Sequence, residues 1–186
     1  YYNRDPLGFS PEWVAMAKRS IMTLLPQYNS ERMVGEYLAR FYAPACQRGR
    51  RFADNGFAIA RDVASWKSRV RASWPQVQVR ALGMPARNAR FGDKARFTVG
   101  VRTGDLSPAD IVVELLLSPA LTELAAGRPP ESHPFLDTGE RSEGGECIFA
   151  LDLAPELCGK LSFRIRAYPH HEALSHRFEL GLMKWI

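Results

Sequence analysis

The chain has no uninterrupted apolar run of the ~18 residues that a membrane-spanning helix needs, and no basic-then-apolar leader opens it. A soluble protein is expected. Cysteine is scarce: Cys46, Cys147 and Cys158 are an odd number, set far apart. That spacing fits neither a disulfide framework nor the close pairs of a zinc knuckle, and reduced thiols in a cytoplasm follow. An initiator methionine is also missing. Tyr1-Tyr2-Asn3-Arg4-Asp5-Pro6 leads directly into an amphipathic segment, so the chain reads as an excised C-terminal piece. What is present suffices for a core, since 186 residues at 46% hydrophobic are far from a disordered composition.

The net charge of +5 is unevenly placed. Residues 1–75 hold 12 basic against 6 acidic side chains, whereas residues 76–186 hold 13 against 14. Much of the front's surplus is Arg48, Arg50, Arg51, Arg61, Lys67, Arg69 and Arg71. Such a stretch can bind phosphate. No recognisable nucleic-acid module accompanies it, however, and a solvated helix face, or one docked on an acidic neighbour, is the commoner origin. Nucleic acid is therefore not an expected partner.

Periodicity divides the chain into three zones. Ser10-Pro11-Glu12 is a helix start: the hydroxyl can cap free N–H groups, Pro fits where none is needed, and Glu meets the positive dipole end. Trp13, Ala17, Ile21 and Leu24 then recur at helical spacing up to Pro26. Asn29 or Ser30 caps a second helix, in which Met33, Val34, Tyr37, Leu38, Phe41 and Tyr42 form a broad stripe and Pro44 marks the exit. Two short helices cannot cover that stripe alone, so it calls for a partner surface. From about residue 49 a polar, Arg/Gly-rich linker becomes a helix near Gly56, with Ile59, Val63, Trp66, Val70 and Trp74 along one face and Pro75 at its end.

Beyond Gln76 the period changes to two. Ala95-Val101, Cys147-Leu153, Leu161-Ala167 and Phe178-Leu182 alternate apolar with polar residues, as half-buried antiparallel strands do. Val77–Leu82 and Ile111–Leu117 add two more, the second apolar enough to be central. Gly83-Met84-Pro85, Gly104-Asp105, Pro129-Pro130, Gly144-Gly145, Pro155 and Gly159 supply the turns. The expected fold is mainly β: an immunoglobulin/fibronectin-like antiparallel β-sandwich preceded by about three helices.

Three strings from the front bear on family: Lys18-Arg19-Ser20-Ile21, then Pro26-Gln27-Tyr28-Asn29-Ser30-Glu31-Arg32-Met33-Val34, then Glu36-Tyr37 with Phe41-Tyr42-Ala43-Pro44-Ala45. Together they resemble the last part of the catalytic region of bacterial α-glucan (glycogen-type) phosphorylases. Ala64-Ser65-Trp66-Lys67 through Trp74-Pro75, and Arg164 to His171 through Leu182-Met183-Lys184-Trp185-Ile186, are similar to the C-terminal extension of longer members. The resemblance implies residues 1–48 as the helical end of the catalytic region, 49–75 as a basic linker and connector helix, and 76–186 as the sandwich. It also implies a parent enzyme, a glycosyltransferase, that cleaves α-1,4-glucan with phosphate to release glucose 1-phosphate, using pyridoxal phosphate held on a lysine in a glycine-containing motif. That motif is absent. Lys18, Lys67, Lys94, Lys160 and Lys184 lie among charged or polar neighbours outside any glycine-rich loop, so neither catalytic nor cofactor residues carry over. What the resemblance leaves is docking: Trp13, Arg32, Met33, Tyr37, Phe41 and Tyr42 on helices that pack against upstream catalytic lobes.

Other constellations have ordinary explanations. His170-His171, with His176 nearby, point to opposite faces of a strand end and lack a carboxylate or thiol cluster. Ser132-His133 with Asp137 could suggest a hydrolase, but no nucleophile elbow surrounds any serine, and loop polarity accounts for them. Cys147 and Cys158 could face one another on strand edges, though a cytoplasmic setting disfavours a bond. Trp66, Trp74, Tyr168 and Trp185 are candidates for stacking on an α-glucan, while burial between connector helix and sandwich is the commoner fate of such rings. Three readings stand: a noncatalytic phosphorylase tail, an accessory carbohydrate-binding sandwich, and a basic module for nucleic acid or another acidic partner. An exposed Met33/Tyr37/Phe41 stripe would also favour a homodimer.

Overall fold

The computed structural model describes residues 4–85, 92–119, 129–154 and 160–186, and the chain divides into two units, Tyr1–Ala60 and Arg61–Ile186. In the first unit Pro11 and Glu12 open helix α1 (Pro11–Leu24) as their chemistry requires. The expected cap is missing. Ser10 stands at the N-cap position, but its hydroxyl makes no capping bond and is buried without a hydrogen-bond partner among the described residues. Asn29 does cap α2 (Ser30–Tyr37), its Oδ1 accepting the Arg32 N–H at 2.7 Å.

The expected exit at Pro44 is corrected by the structure: helix continues through it. A π-helical turn (Leu38–Tyr42), closed by the Ala43 N–H on the Leu38 carbonyl, leads into α3 (Ala43–Ser73) with Pro44 in its first turn. In a regular α register Pro44 would lack an N–H for the Arg40 carbonyl and press its ring against it; the wider π turn just before it relieves both. The expected linker is likewise helical from Gly49 to Ala53. The true break comes at Asp54–Phe57, where Asn55, Gly56 and Phe57 all take positive φ (50°, 59° and 65°). No residue of α1 or α2 is buried.

The second unit starts with the rest of α3, whose Val63, Trp66, Val70 and Ser73 are buried, followed by a 3₁₀ turn (Trp74–Gln76). Among the described residues eight strands follow: β1 (Gln78–Gly83), β2 (Ala95–Arg102), β3 (Ile111–Pro119), β4 (Glu131–Pro134), β5 (Leu136–Arg141), β6 (Cys147–Leu153), β7 (Leu161–Pro169) and β8 (Lys184–Trp185). They form two four-stranded antiparallel sheets, ordered β1-β2-β6-β5 and β4-β3-β7-β8. The predicted alternation is realised in β2, where Ala95, Phe97, Val99 and Val101 point inward against Val113, Leu115 and Ile165 of the other sheet, with Trp66, Val70 and Trp74 in the same core. Each such fully buried aliphatic contributes about 1.5–3 kcal/mol. The apolar β3 is an interior strand, as its composition indicates.

Two expectations fail here. Phe178–Leu182 is no strand; tight turns fold it, with Glu179 N–H on the His176 carbonyl and Gly181 N–H on that of Phe178. Its apolar positions Phe178, Leu180 and Leu182 are partly buried without strand pairing, Leu180 and Leu182 against the core, and the last strand is instead the two-residue β8. Conversely, Ser132-His133 and Asp137, read as loop polarity, lie on strands β4 and β5. The chain passes from one sheet to the other at buried Phe135, whose N–H donates to the Val113 carbonyl at 2.9 Å. Cys158, Pro155 and Gly159 lie outside the described residues. No described helix is long and apolar enough to cross a membrane.

Candidate functional site

Side chains at even positions of β7 point away from the core, as do Glu114 of β3 and Trp185 of β8 through the pairings Glu114↔Arg166 and Arg166↔Trp185. This register assembles a charged cluster on the outer face. Glu114 is only 5% exposed. It accepts Arg166 Nε at 2.9 Å and Nη2 at 2.7 Å, the Tyr168 hydroxyl at 2.6 Å and Arg177 Nη1 at 3.2 Å. Burial by itself would raise the Glu114 pKa, but hydrogen bonds from Tyr168, Arg166 and Ser132, with the Arg166 charge, outweigh it and hold the group below the usual carboxylate range. The Tyr168 hydroxyl is pushed up to about 12 by burial first, then by its bond to Glu114 and that group's charge, against a smaller effect of Arg177.

Arg166 is also surrounded by rings. Its guanidinium carbon lies 4.7 Å from the Phe178 centroid, 5.7 Å from Tyr168 and 5.9 Å from Trp185. Tyr168 and Phe178 meet edge-to-face at 5.0 Å. The segment after β7 is thereby fastened across the sheet through Arg177 and Phe178.

A second group ties α3 to the same segment. Trp66 Nε1 donates to Asp110 Oδ1 at 2.7 Å, and its ring lies 5.0 Å from that of His171. Lys67 pairs with Glu179, which also accepts the backbone and hydroxyl of Ser175. Donation from Lys67, then from Ser175, lowers the Glu179 pKa to about 2. These contacts position elements; they present no reactive group in an enclosed cleft. Among the described residues the first unit has an open concavity lined by Asp5, Phe9, Pro11, Val14, Ala15 and Lys18.

The sequence candidates are placed as follows. Trp66, Trp74 and Tyr168 are buried at 2%, 5% and 3% exposure, so no sugar ring reaches their faces; Trp185, at 50%, is the exposed one of the four. Trp13, Met33, Tyr37 and Phe41 are all about half exposed, on helices without a buried residue. Ser132 and His133 are neighbours on β4, Ser132 bonded to Glu114. Asp137 caps its own turn at Gly139, so the three form no triad. His171 and His176 each accept a local N–H, from Ala173 and Phe178, and no metal-binding group of three or more ligands occurs among the described residues. Lys18, Lys94 and Lys160 are exposed, Lys67 is engaged by Glu179, and Lys184 is on the short β8. The Glu114 cluster was not foreseen; its one signal is a carboxylate inside the otherwise apolar Ile111–Leu117.

The model of the glycogen phosphorylase C-terminal domain matches residues 74–186. Glycogen phosphorylase of Mycobacterium tuberculosis is 31% identical over 98% of this chain and 21% of its own length. Maltodextrin phosphorylase of Thermococcus litoralis is 31% identical over 93% of the chain and 20% of its own. A further glycogen phosphorylase, from Aquifex aeolicus, is 37% identical over 43 residues, or 23% of the chain. No solved structure matches the chain. It thus spans about a fifth of the length of the curated relatives it matches. With a family match over its all-β part and relatives aligned along nearly its whole length, the chain belongs to the glycogen phosphorylase C-terminal domain family.

Proposed function

We propose that this chain is the noncatalytic C-terminal portion of a cytoplasmic, pyridoxal-phosphate-dependent α-glucan phosphorylase. In this reading residues 1–48 are the helical end of the catalytic region and 49–75 connect it to an immunoglobulin/fibronectin-like sandwich at 76–186. The role is docking and bracing: the front helices lie against upstream catalytic lobes that perform the phosphorolysis. One observation carries this. Trp13, Ile21, Met33, Tyr37, Phe41 and Tyr42 are all exposed on helices that bury nothing, although monomeric proteins rarely expose large contiguous apolar patches. Length points to the occupant, since the relatives share this region and carry about four-fifths of their sequence outside it.

The test uses the full-length parent polypeptide. Replacing Tyr37 with Ser and Phe41 with Asp removes two aromatic anchors, about 3–5 kcal/mol of docking, and should lower glucose 1-phosphate release at least about tenfold together with the melting temperature. Unchanged activity and stability would overturn the reading. A parental dimer lost in the variant with activity intact would assign the stripe to a second copy instead. The 186-residue chain alone, given pyridoxal phosphate, phosphate and glycogen, should release no glucose 1-phosphate; any release would refute the noncatalytic assignment.

A further inference from the structure

The outer face of the β4-β3-β7-β8 sheet combines an exposed indole with cationic donors. Trp185 is half exposed and stands beside Arg166, which Glu114 fixes from behind through two hydrogen bonds. Arg164, two residues away on the same face, is exposed and has no ion-pair partner among the described residues. The Arg177 side chain is half exposed and spends one N–H on Glu114. Carboxylates are scarce here. Glu114 is already taken by Arg166, Tyr168 and Arg177, and it is the one acidic residue at an outward position of these four strands. At the outward strand positions two arginines, Arg164 and Arg166, stand against one carboxylate, Glu114, a surplus of one positive charge, and Arg177 reaches the same carboxylate from the turn segment that also carries Glu172 and Glu179.

A neutral sugar needs acceptors for its hydroxyl hydrogens as well as donors, and besides Glu114 the outward side-chain acceptors on these strands are the hydroxyls of Ser118, Ser132 and Ser162. A carboxylate-bearing surface needs donors alone, with an apolar contact to cover the indole. Trp and Arg are also the residues that dominate protein–protein hot spots. The rigid backing of Arg166 reduces the ordering that docking requires.

We infer that Trp185, Arg164 and Arg177 form a second docking surface, specific for an acidic surface on the remainder of the full-length polypeptide. This rests on the phosphorylase-tail reading, because the partner is the four-fifths of the relatives' length outside this chain. Covalent linkage supplies the effective concentration that lets a small charged patch engage. It differs from the front helices in being electrostatic and therefore salt-sensitive.

Hydroxyl-radical footprinting read by mass spectrometry tests it, comparing Trp185 in the full-length polypeptide and in the 186-residue chain. Trp185 should be labelled roughly five-fold more slowly in the full-length protein, as for an indole passing from half exposed to nearly buried. Arg164→Glu or about 0.5 M salt should erase most of that protection, while Trp13 and Phe41 stay protected. Equal labelling of Trp185 in both forms overturns this inference, and continued protection of Trp13 and Phe41 then leaves the tail reading standing. Equal labelling at all three positions sinks both. Protection of Trp185 that appears with maltoheptaose alone would replace the acidic partner with a saccharide.

Discussion

Removing the Trp66 ring should destabilise the second unit more than any loss on the helical front, and the amount can be worked from its contacts. Trp66 is 2% exposed, shares the core with Val70 and Trp74, and donates to Asp110 at 2.7 Å. Trp66→Ala forfeits the ring's packing, about 3–5 kcal/mol. Trp66→Phe keeps most of the packing but withdraws the N–H from a charged acceptor, about 1.5–3 kcal/mol. The Asp110 carboxylate retains a second donor, since its Oδ2 accepts the Ser107 N–H at 2.9 Å, so the lower end applies. Combining Trp66→Phe with Asp110→Asn should then give a coupling of about 1 kcal/mol, as expected of two residues in direct contact. Urea unfolding followed by Trp74 fluorescence measures all four species, because Trp74 is buried in the same core. A Trp66→Ala unfolding free energy within about 1 kcal/mol of the parent, or a coupling of zero, would refute the place of Trp66 in this core.

Glu114→Ala should be severe, about 3–5 kcal/mol, because it leaves the guanidinium of Arg166, 12% exposed in its side chain, without its counter-charge; Glu114→Gln should fall between it and the parent on thermal melting, and a neutral result for both would show the cluster to be ornamental. Acid stability should report Glu179. Its folded pKa of about 2 lies below the ordinary 4.5, so its contribution is full above pH 4.5 and is lost as pH falls towards 2. The whole shift corresponds to about 3 kcal/mol, which solvent screening of this partly exposed pair reduces to about 1 kcal/mol. Glu179→Gln should therefore lower the unfolding free energy at pH 7 by that amount and flatten its fall between pH 4.5 and 2; an unaltered pH slope would contradict the assignment.

Local pattern made much of the fold legible. Strands β2, β6 and β7 each set one face on the core, so alternation of Phe97, Val99 and Val101 with polar neighbours announces them; the stripe Val63, Trp66, Val70 announces the buried face of α3 in the same way. β4 and β5 gave no such signal because they are edge strands, β5 exposed throughout. The same blindness affected Pro44, whose accommodation depends on how the preceding turn widens. Among the stacking candidates, residue type could name Trp66, Trp74, Tyr168 and Trp185 but could not order them by exposure, which follows from what folds over each ring.

Sequence alone determined the period of each segment, the unevenness of charge and the greasy stripe of the front helices, since these are properties of neighbours along the chain. Tertiary structure decided the Glu114 cluster. Its partners Arg166 and Arg177 are 52 and 63 residues further on, and they converge because antiparallel pairing puts Arg166 beside Glu114 while the turns after β7 carry Arg177 back over the sheet. A carboxylate can stay charged at that depth only when donors from such distant positions arrive together, and no local pattern encodes that meeting.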